Sequence, residues 1–515
     1  MPGGGLFSLI AYGSQNVILN GNPDFTYFYT VFKKHSHFAI ESTSIPLEGP
    51  NEMFFDQPIK LRAKIPRIAD LISDMSLTFQ IPDVFSKYVQ ERSQYEFQWV
   101  HFLGTHIIQN CAFFVGGSKI QEFDGDYILT KAQTDMDADT YHKWKRLVGE
   151  VPELNHPAKG LYAGGQQNVG YPTVVKDTSM TQQFNRPSIY GQRITVPLPL
   201  WFSESSYKSF PIVALEYHDV EIQLTLRPVQ ELYTILDPSG YRVRPGYRMN
   251  SSQYDIHTNQ PTYISHYDIS GEFRSFATDI DYGVPTNNSW FLNPTLETTY
   301  VYVTQNERVD FVKTPLNYIV PQITTFRNPN FYNRTTIDLE ITNPVTRMFL
   351  VPRRSDSILY RNAVENFTNW FQYPNRPWLP TNGASTVQNQ IMSSGRLIPA
   401  SQAQILRSLR ILLNGNEYQE EKNIEYFTKF VPYKYYLGGN DAESSYIAVI
   451  PFSLKTDPNQ PSGSINSSLI RLFQLDVNPW ALPINPTYLY DINIYVESLN
   501  FFVVKGGYGG LKYAG

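Results

Sequence analysis

The sequence has a single cysteine, few charged residues and no long hydrophobic run. Cys111 is alone among 515 residues, so neither an intrachain disulfide nor a cysteine-based zinc site can form. Charged residues make up 17% of the chain, against about a quarter in an average globular protein. No apolar run approaches the roughly 20 residues of a membrane-spanning helix, and we recognise no secretory signal peptide after Met1. The near-absence of cysteine favours folding in a reducing compartment.

Aromatic and other apolar residues are abundant instead. Hydrophobic residues account for 42% of the chain and aromatics for 15%, with 36 Tyr and 32 Phe. This much apolar surface predicts a folded protein, because its burial outweighs chain entropy. The formal net charge of −5 argues against a protein that binds nucleic acid over its whole surface. A charge-poor, aromatic-rich surface is typical of large protein–protein contacts.

Alternation of apolar and polar residues with a period of two dominates the chain. Such alternation predicts strands that bury one face, and Pro, Gly and Asn separate the runs. The clearest predicted strands are Ile59–Ile65, Val220–Leu226, Ile337–Ile341, Cys111–Val115, Tyr300–Val303, Leu409–Leu413, Ile447–Ile450 and Ile492–Val496. Many short strands between turns predict an all-β sandwich or barrel.

One helix is predicted from about Ala132 to Val148, because acidic residues precede basic ones and Gly149 follows. Three of its acidic residues resemble the start of a calcium loop: Asp135, Asp137 and Asp139. Thr140 and Arg146 stand where that loop needs a glycine and a bidentate glutamate. We therefore predict no metal there.

Motifs of catalysis and cofactor binding are lacking. The nine histidines form no HExxH pattern, and no Gly-x-Ser-x-Gly elbow occurs. Gly116 and Gly117 read as a hairpin turn, and the glycines from Gly506 to Gly510 as a flexible tail. We predict neither catalysis nor a cofactor, although inspection leaves a glycosidase carboxylate pair open. Sequons begin at Asn250, Asn287, Asn333, Asn366 and Asn466.

Three segments recur in the same order in the two halves of the chain, which predicts a duplicated all-β unit. The first copy carries extra, loop-like sequence around 150–190 and 230–290, where insertions are tolerated and often functional. The paired segments are Phe113–Glu122 with Ile411–Glu420, Ile194–Pro228 with Ile447–Pro479, and Thr299–Val303 with Asp491–Val496.

A long stretch at the start of the chain and shorter ones further on carry a resemblance to a known family. On these residues the chain resembles, over nearly its whole length, the major capsid proteins of nucleocytoplasmic large DNA viruses. The matching segments are Gly4–Asn16, Leu19–Pro23, Phe28, Lys34–Ala39, Gly116–Gly117, Pro197–Phe202, Ala214–Val220, Tyr302–Val303, Glu307–Arg308, Phe311, Asn343–Val345, Asn414–Gly415, Tyr426–Phe427 and Pro461–Asn466.

The resemblance implies two consecutive eight-stranded jelly rolls with long loop insertions and a few short helices. We expect an N-terminal arm over 1–24, the first jelly roll over 25–326, the second over 327–505 and a Gly-rich tail over 506–515. The implied function is a homotrimeric, pseudo-hexagonal capsomer of an icosahedral shell in the virion, made in the host cytoplasm. Its implied partners are itself, minor capsid and penton proteins and an internal viral membrane, with no specific nucleic acid.

The resemblance also implies that the N-terminal arm lies at the inner face of the shell. Four apolar residues of the arm should not stay solvated, and four basic residues follow it. The basic group is typical either of a solvated strand end or of contact with an acidic partner or anionic lipid. The candidate inner-face contacts are therefore Leu6, Phe7, Leu9, Ile10, Lys33, Lys34, His35 and His37.

Two other classes of protein fit a chain of this composition. One is a carbohydrate-binding or carbohydrate-cleaving β-sandwich, with aromatic platforms and paired carboxylates. The other is a receptor-binding viral spike. A mass of three chains would favour the capsid interpretation, whereas a monomer that retains or turns over glycans would favour the enzyme or lectin.

Overall fold

A computed structural model describes most of the chain. It covers residues 3–30, 32–85, 96–157, 187–236, 242–245, 273–276, 290–370, 402–438, 446–455, 459–482 and 488–513. Most of the predicted loop sequence at 150–190 and 230–290 lies outside the described residues, as do Asn250 and Asn287. The α-helices are α1 (Gly4–Ile10), α2 (Ser14–Asn20), α3 (Leu103–His106), α4 (Gly125–Asp135), α5 (Ala138–Leu147), α6 (Pro152–Asn155), α7 (Gln305–Lys313), α8 (Asp356–Arg361) and α9 (Val431–Tyr435).

The first half of the chain forms one jelly roll. Its two four-stranded antiparallel sheets face each other across an apolar core. The strands are β1 (Phe38–Pro46), β2 (Glu52–Met53), β3 (Ile59–Lys64), β4 (Leu71–Gln80), β5 (Glu96–Trp99), β6 (Ile108–Val115), β7 (Ser118–Phe123), β8 (Arg193–Pro197), β9 (Val220–Leu226), β10 (Tyr233–Leu236), β11 (Arg242–Val243), β12 (Trp290–Phe291) and β13 (Thr295–Val303). The sheet orders are β1-β13-β4-β8 and β3-β9-β6-β7.

The second half builds the same pair of sheets. The strand orders of these two sheets are β14-β24-β16-β21 and β15-β23-β19-β20. The strands are β14 (Leu316–Phe331), β15 (Thr335–Asp338), β16 (Pro344–Arg354), β17 (Asn369–Trp370), β18 (Gln402–Ala403), β19 (Leu406–Leu413), β20 (Asn416–Asn423), β21 (Ala448–Pro451), β22 (Ile465–Asn466), β23 (Phe473–Pro479), β24 (Tyr490–Lys505) and β25 (Tyr508–Leu511).

The predicted duplication is confirmed strand by strand. The first matched segments form the β6–β7 and β19–β20 hairpins, which occupy the same places in their sheets. Strand β8 corresponds to β21, β9 to β23, and β13 to β24. Tyr300–Val303 pairs with β1 and β4, whereas Ile492–Val496 pairs with β14 and β16, so the two segments lie in different jelly rolls. The predicted all-β double jelly roll is therefore the observed fold.

Both hairpins turn on residues that accept a left-handed backbone. Gly116 and Gly117 have φ values of 58° and 80°, and Asn414 and Gly415 have values of 50° and 80°. Two consecutive positive φ values match the twist of a tight two-residue hairpin, and Asn-Gly and Gly-Gly are its preferred sequences. The local sequence thus fixes both turns.

The single helix predicted from Ala132 to Val148 is wrong, because two helices occupy this stretch. Helix α4 begins at Gly125 and ends at Asp135, and Met136 is extended. Asp137 then caps α5, since its carboxylate accepts a hydrogen bond from the Thr140 backbone N–H at 2.8 Å. Aspartate prefers this capping position to a helix interior, which explains the break.

Two predicted boundaries also differ from the strand pairing. Arg327, the expected start of the second jelly roll, lies inside β14, which pairs with β24 from Leu316 onward. The change of sheet therefore falls between Val303 and Leu316, around α7. The glycine-rich C-terminal segment is not a free tail, because Gly506 and Gly507 adopt positive φ and return the chain as β25 beside β24.

Candidate assembly surfaces and the joint between the jelly rolls

The predicted inner-face residues lie in two exposed groups. Leu6, Phe7, Leu9 and Ile10 are exposed on α1, although the glycines before them carry no helix preference of their own. The four basic residues are exposed in the segment before β1: Lys33, Lys34, His35 and His37. Helix α2 and residues 21–32 separate the two groups along the chain. All eight side chains face solvent in the single chain, and their contacts in a shell stay a prediction.

The three aspartates of the acidic segment serve separate structural roles. Asp135 accepts a hydrogen bond from Arg347 Nη2 at 2.7 Å, and Asp137 caps α5. Asp139 lies exposed in the first turn of α5. Among the described residues, no group of three His, Cys, Asp or Glu side chains is arranged to hold a metal ion.

Helix α4 of the first jelly roll packs on the outer face of β14-β24-β16 of the second, a contact that sequence reasoning missed. Asp124 caps the helix by accepting from the Tyr127 backbone N–H at 2.8 Å. The Tyr127 hydroxyl donates to Glu497 at 2.6 Å, and the Tyr495 hydroxyl donates to Asp124 at 3.1 Å. Buried hydrogen bonds thus connect residues about 370 positions apart in sequence.

A buried ionic network extends this contact, which we call the joint. Arg347 is almost fully buried and its Nη2 lies 3.0 Å from Glu497 Oε1 as well as 2.7 Å from Asp135. Burial by itself would raise the pKa of Glu497, but the charges of Arg347 and Lys131 outweigh it and hold the pKa at about 2. Glu497 is therefore ionised in the folded protein, and removing one partner would leave a buried charge unpaired.

A second ion pair lies beside the first. Arg353 binds the Asp126 carboxylate and also donates to the Val364 carbonyl at 2.8 Å. Although burial opposes ionisation of Asp126, Arg353 holds its pKa well below the usual range. The pKa of Asp124 moves the other way, to about 6, because of burial first and then repulsion from Asp126. The two neighbouring carboxylates thus differ in the pH at which they ionise.

Aromatic side chains make a further contact between the two jelly rolls. The ring centroid of Trp201, in the loop after β8, lies 5.1 Å from that of Tyr318 and 5.8 Å from that of Phe502. The β24–β25 hairpin covers the same loop, where the Tyr217 backbone N–H donates to the Gly507 carbonyl at 3.1 Å. A Cβ at Gly507 would stand 2.8 Å from the Tyr217 ring, so a glycine is needed there for packing as well as for its φ.

Cys111 and the buried carboxylates of the joint have structural surroundings. The thiol of Cys111 is fully buried in β6, and burial raises its pKa far above the range of a reactive cysteine. The buried carboxylates at the joint are bound to arginine or tyrosine side chains. No helix in the described part of the chain is long and apolar enough to span a bilayer.

Weak local signals of the joint do exist in the sequence. Arg347 directly precedes the apolar run Met348–Val351, and Glu497 interrupts the apolar end of β24. A charge inside a buried strand needs a partner, so such interruptions indicate an ion pair. They do not say which of the 42 cations meets which of the 47 carboxylates.

Comparison with solved structures shows that the chain has the fold of double jelly-roll viral capsid proteins. The chain is similar to the quasi-atomic model of the PBCV-1 virus capsid, with a TM-score of 0.63 and 18% identity over 95% of this chain and all of the other. The Faustovirus major capsid protein gives a TM-score of 0.63 and 12% identity, over 97% of this chain and 96% of the other. At these identities the likeness concerns the fold.

Sequence comparison identifies the family. The model "Major capsid protein N-terminus" matches residues 26–264, and "Large eukaryotic DNA virus major capsid protein" matches residues 307–510. The major capsid protein of Paramecium bursaria Chlorella virus 1 is 24% identical, and probable capsid protein 4 of Acanthamoeba polyphaga mimivirus is 23% identical, each over 99% of both chains. The chain belongs to the major capsid proteins of large eukaryotic DNA viruses, which are structural virion components and not enzymes.

Proposed function

We propose that three copies of this chain form a pseudo-hexagonal capsomer, and that many capsomers tile an icosahedral shell. The observation that carries the proposal is the repetition of one sheet order in both halves of the chain. Each copy supplies two similar barrels, so three copies supply six. A six-sided tile then contacts its neighbours through repeated, modest interfaces.

The strand arrangement suits a protein held at high local concentration. Jelly rolls leave little unpaired sheet edge, which limits uncontrolled strand addition between molecules. A buried ionic and aromatic joint within each chain would keep the two barrels in a fixed relation. A fixed relation between barrels is what a tile of defined outline requires.

The arm and its partners belong to the same proposal. The exposed apolar residues of α1 and the basic group before β1 would lie at the inner face. There they would meet a neighbouring subunit, minor capsid or penton proteins, or the internal viral membrane. No specific contact with nucleic acid is proposed, and synthesis would take place in the host cytoplasm.

We propose a division of the chain that follows the strand pairing. An arm over 1–24 would precede a first jelly roll that ends with β13, and α7 would link it to a second that begins with β14. This moves the division from Arg327 to the segment between Val303 and Leu316. The C-terminal hairpin would belong to the second jelly roll.

The oligomeric state tests the capsomer directly. Native mass spectrometry of the purified full-length chain should give three times 59.2 kDa. Cryo-electron microscopy of concentrated samples should then show six-lobed particles that associate edge to edge. A stable monomer at micromolar concentration would contradict the proposal.

A further inference from the structure

A cluster of charged side chains surrounds the second ion pair of the joint, where segments of both jelly rolls meet. The first jelly roll contributes Arg227 after β9, Glu231 in the loop that follows and Arg244 after β11. Arg353 reaches the cluster from β16 of the second jelly roll and binds Asp126 at the start of α4. We call the following six residues the arginine cluster: His106, Asp126, Arg227, Glu231, Arg244 and Arg353.

Hydrogen bonds hold the side of the cluster that the first jelly roll forms. The Arg227 backbone N–H donates to the Ile107 carbonyl at 2.9 Å, which places Arg227 beside His106. The Glu231 carboxylate lies 3.4 Å from Arg227 Nη1 and 3.3 Å from Arg244 Nη2. One carboxylate is thus shared between two guanidinium groups.

Close packing brings the remaining members to the same place. Helix α4 lies so near α3 that a Cβ at Gly125 would overlap the Thr105 carbonyl, and Asp126 therefore stands beside the end of α3. Asn362 Nδ2 of the second jelly roll donates to the Gln230 carbonyl at 2.9 Å, in the loop after β9. This bond fixes that loop against the jelly roll that carries Arg353.

Several buried nitrogen atoms of the cluster lack hydrogen-bond partners among the described residues. These atoms are Arg227 Nε, Arg353 Nε and both ring nitrogens of His106. The Glu231 backbone is close to the His106 ring, but neither ring nitrogen makes a well-formed hydrogen bond with a described residue. Buried donors without an acceptor are costly, so a site that holds several of them favours binding of an acceptor.

The cluster also has one positive charge in excess. Its three arginines face two carboxylates, Asp126 and Glu231, and three minus two leaves one. Burial, and next the charge of Arg227, lower the pKa of His106 well below its ordinary value, so the histidine adds no charge. Buried charges are normally paired, which makes an anion the expected partner of this site.

Other charged groups near the cluster lie against partners of their own. Asp124 is 3.5 Å from Arg327, Asp356 is 2.7 Å from Arg354, and Glu365 is 3.8 Å from His101.

The cluster has a closed floor and a partly open rim. His106 is 1% exposed and the Arg353 side chain is 6% exposed, whereas the side chains of Arg227 and Arg244 are 18% and 15% exposed. A small ion can therefore reach the buried donors past the two arginines of the rim.

We propose that the arginine cluster binds one small monovalent anion, chloride, between the two jelly rolls. Its donors are the Nε–H groups of Arg227 and Arg353 and the N–H of the neutral His106 ring. A water molecule would satisfy these donors but leave the positive charge uncompensated, whereas a doubly charged anion would exceed it. All six residues belong to one chain, so the site does not depend on the proposed trimer.

Crystals of the full-length protein grown in sodium bromide test the site directly, because bromide replaces chloride and scatters anomalously. We expect an anomalous peak in contact with Arg353 Nε and the His106 ring. In solution at about 0.15 M salt, the melting temperature should be about 2 °C or more higher in sodium chloride than in sodium gluconate. Equal ionic strength in the two salts keeps general charge screening the same.

The variant Arg244→Gln removes the excess charge from the rim and should lose both the bromide peak and the chloride effect. Arg62→Gln is the matched control, since Arg62 also binds a glutamate, Glu221, but lies on the exposed side of β3. It should keep the wild-type difference between the two salts. If Arg244→Gln fails to fold, Arg227→Gln replaces it with the same expectation.

Water in place of bromide at the cluster of the wild-type protein would overturn the inference, and this result needs no variant. An undiminished chloride effect in the folded Arg244→Gln variant would also overturn it. A bromide peak without any difference in melting temperature between the two salts would indicate binding at crystal concentration only and would likewise contradict the site.

Discussion

At the scale of residues, the most consequential side chains are charged groups buried between the jelly rolls. Arg347, Glu497 and Asp135 form one cluster, and Arg353 and Asp126 form another. Ion pairs at the protein surface contribute little, whereas a buried charge that loses its partner is costly. Whether an ion pair is buried therefore affects its contribution to stability more than its geometry does.

Replacing Arg347 with alanine should destabilise the protein strongly. Glu497 and Asp135 would lose their common cation, and a broken buried pair costs about 3–5 kcal/mol. The control is Arg62→Ala, which removes an ion pair with Glu221 on the exposed side of β3. Urea unfolding followed by tryptophan fluorescence should show a much lower midpoint for the first variant and little change for the second. Equal midpoints would contradict the assignment of the joint.

Asp124 should make the protein less stable as the pH rises. Its folded-state pKa of about 6 lies above its ordinary value of 3.8, mainly because of burial. A carboxyl group with a raised folded pKa contributes stability below the unfolded pKa and loses it as the pH rises through the folded pKa. The free energy of unfolding should therefore fall between about pH 4 and about pH 6.

The variant Asp124→Asn should remove this pH dependence. An asparagine still caps α4 but cannot ionise, so the variant should gain melting temperature relative to wild type between pH 4 and pH 7. Asp139→Asn changes an exposed carboxylate and serves as the control. A melting-temperature difference that does not vary with pH would show that Asp124 does not titrate in this window.

At the scale of elements, two features organise each jelly roll: tight hairpins and helices that follow them. The β6–β7 and β19–β20 hairpins turn on residues with positive φ, and each leads into a helical segment. The helical segments have diverged, since α4 is mostly buried whereas Tyr433 of α9 is 86% exposed.

The hairpin turn at Gly415 should tolerate no side chain without loss of stability. A Cβ there would meet no other atom, so Gly415→Ala isolates the strain of a φ near +80°. Such a backbone costs an alanine roughly 1–2 kcal/mol. Gly510→Ala is the control, because Gly510 also has open space around its Cβ but no positive φ. Thermal unfolding should separate the two variants, and equal melting temperatures would refute the strained turn.

At the scale of the whole molecule, surfaces that stay exposed in the single chain are the ones left for assembly. These include the exposed apolar residues of α1 and the basic group before β1. The core of each jelly roll, in contrast, is complete within one chain. Folding of the barrels and assembly of the shell should therefore be separable.

Deletion of residues 2–20 tests this separation. The barrels keep their cores, so we expect folded trimers by circular dichroism and native mass spectrometry. The truncated protein should fail to build shells that wild type builds under the same conditions, as seen by electron microscopy. Replacing Leu6, Phe7, Leu9 and Ile10 with serine keeps the length of the arm and should give the same defect if their apolar surface is responsible. Normal shells from the truncated protein, or an arm on the outer face, would refute the proposed role.

The sequence by itself determined the strands, the hairpin turns and the duplication. Period-two alternation predicts a strand over Val220–Leu226, and these are the bounds of β9. The prediction succeeds because a strand with one buried face needs an apolar residue at every second position. Asn414-Gly415 predicts its turn for a similarly local reason. The ends of elements were harder to predict from local patterns. The helix break at Met136 depends on capping by Asp137, and the start of β14 at Leu316 depends on its pairing with β24.

Only the tertiary structure decided how the two jelly rolls meet. Tyr127 and Glu497 are 370 residues apart, and no periodicity or spacing relates them. The same holds for Arg347 and Asp135, 212 residues apart. Their pKa values follow from burial and from charges that the fold brings within hydrogen-bonding distance. Secondary structure reflects interactions between chain neighbours, which a sequence displays, whereas the joint and the surfaces left for assembly arise from contacts between distant segments, which appear only once the chain is folded.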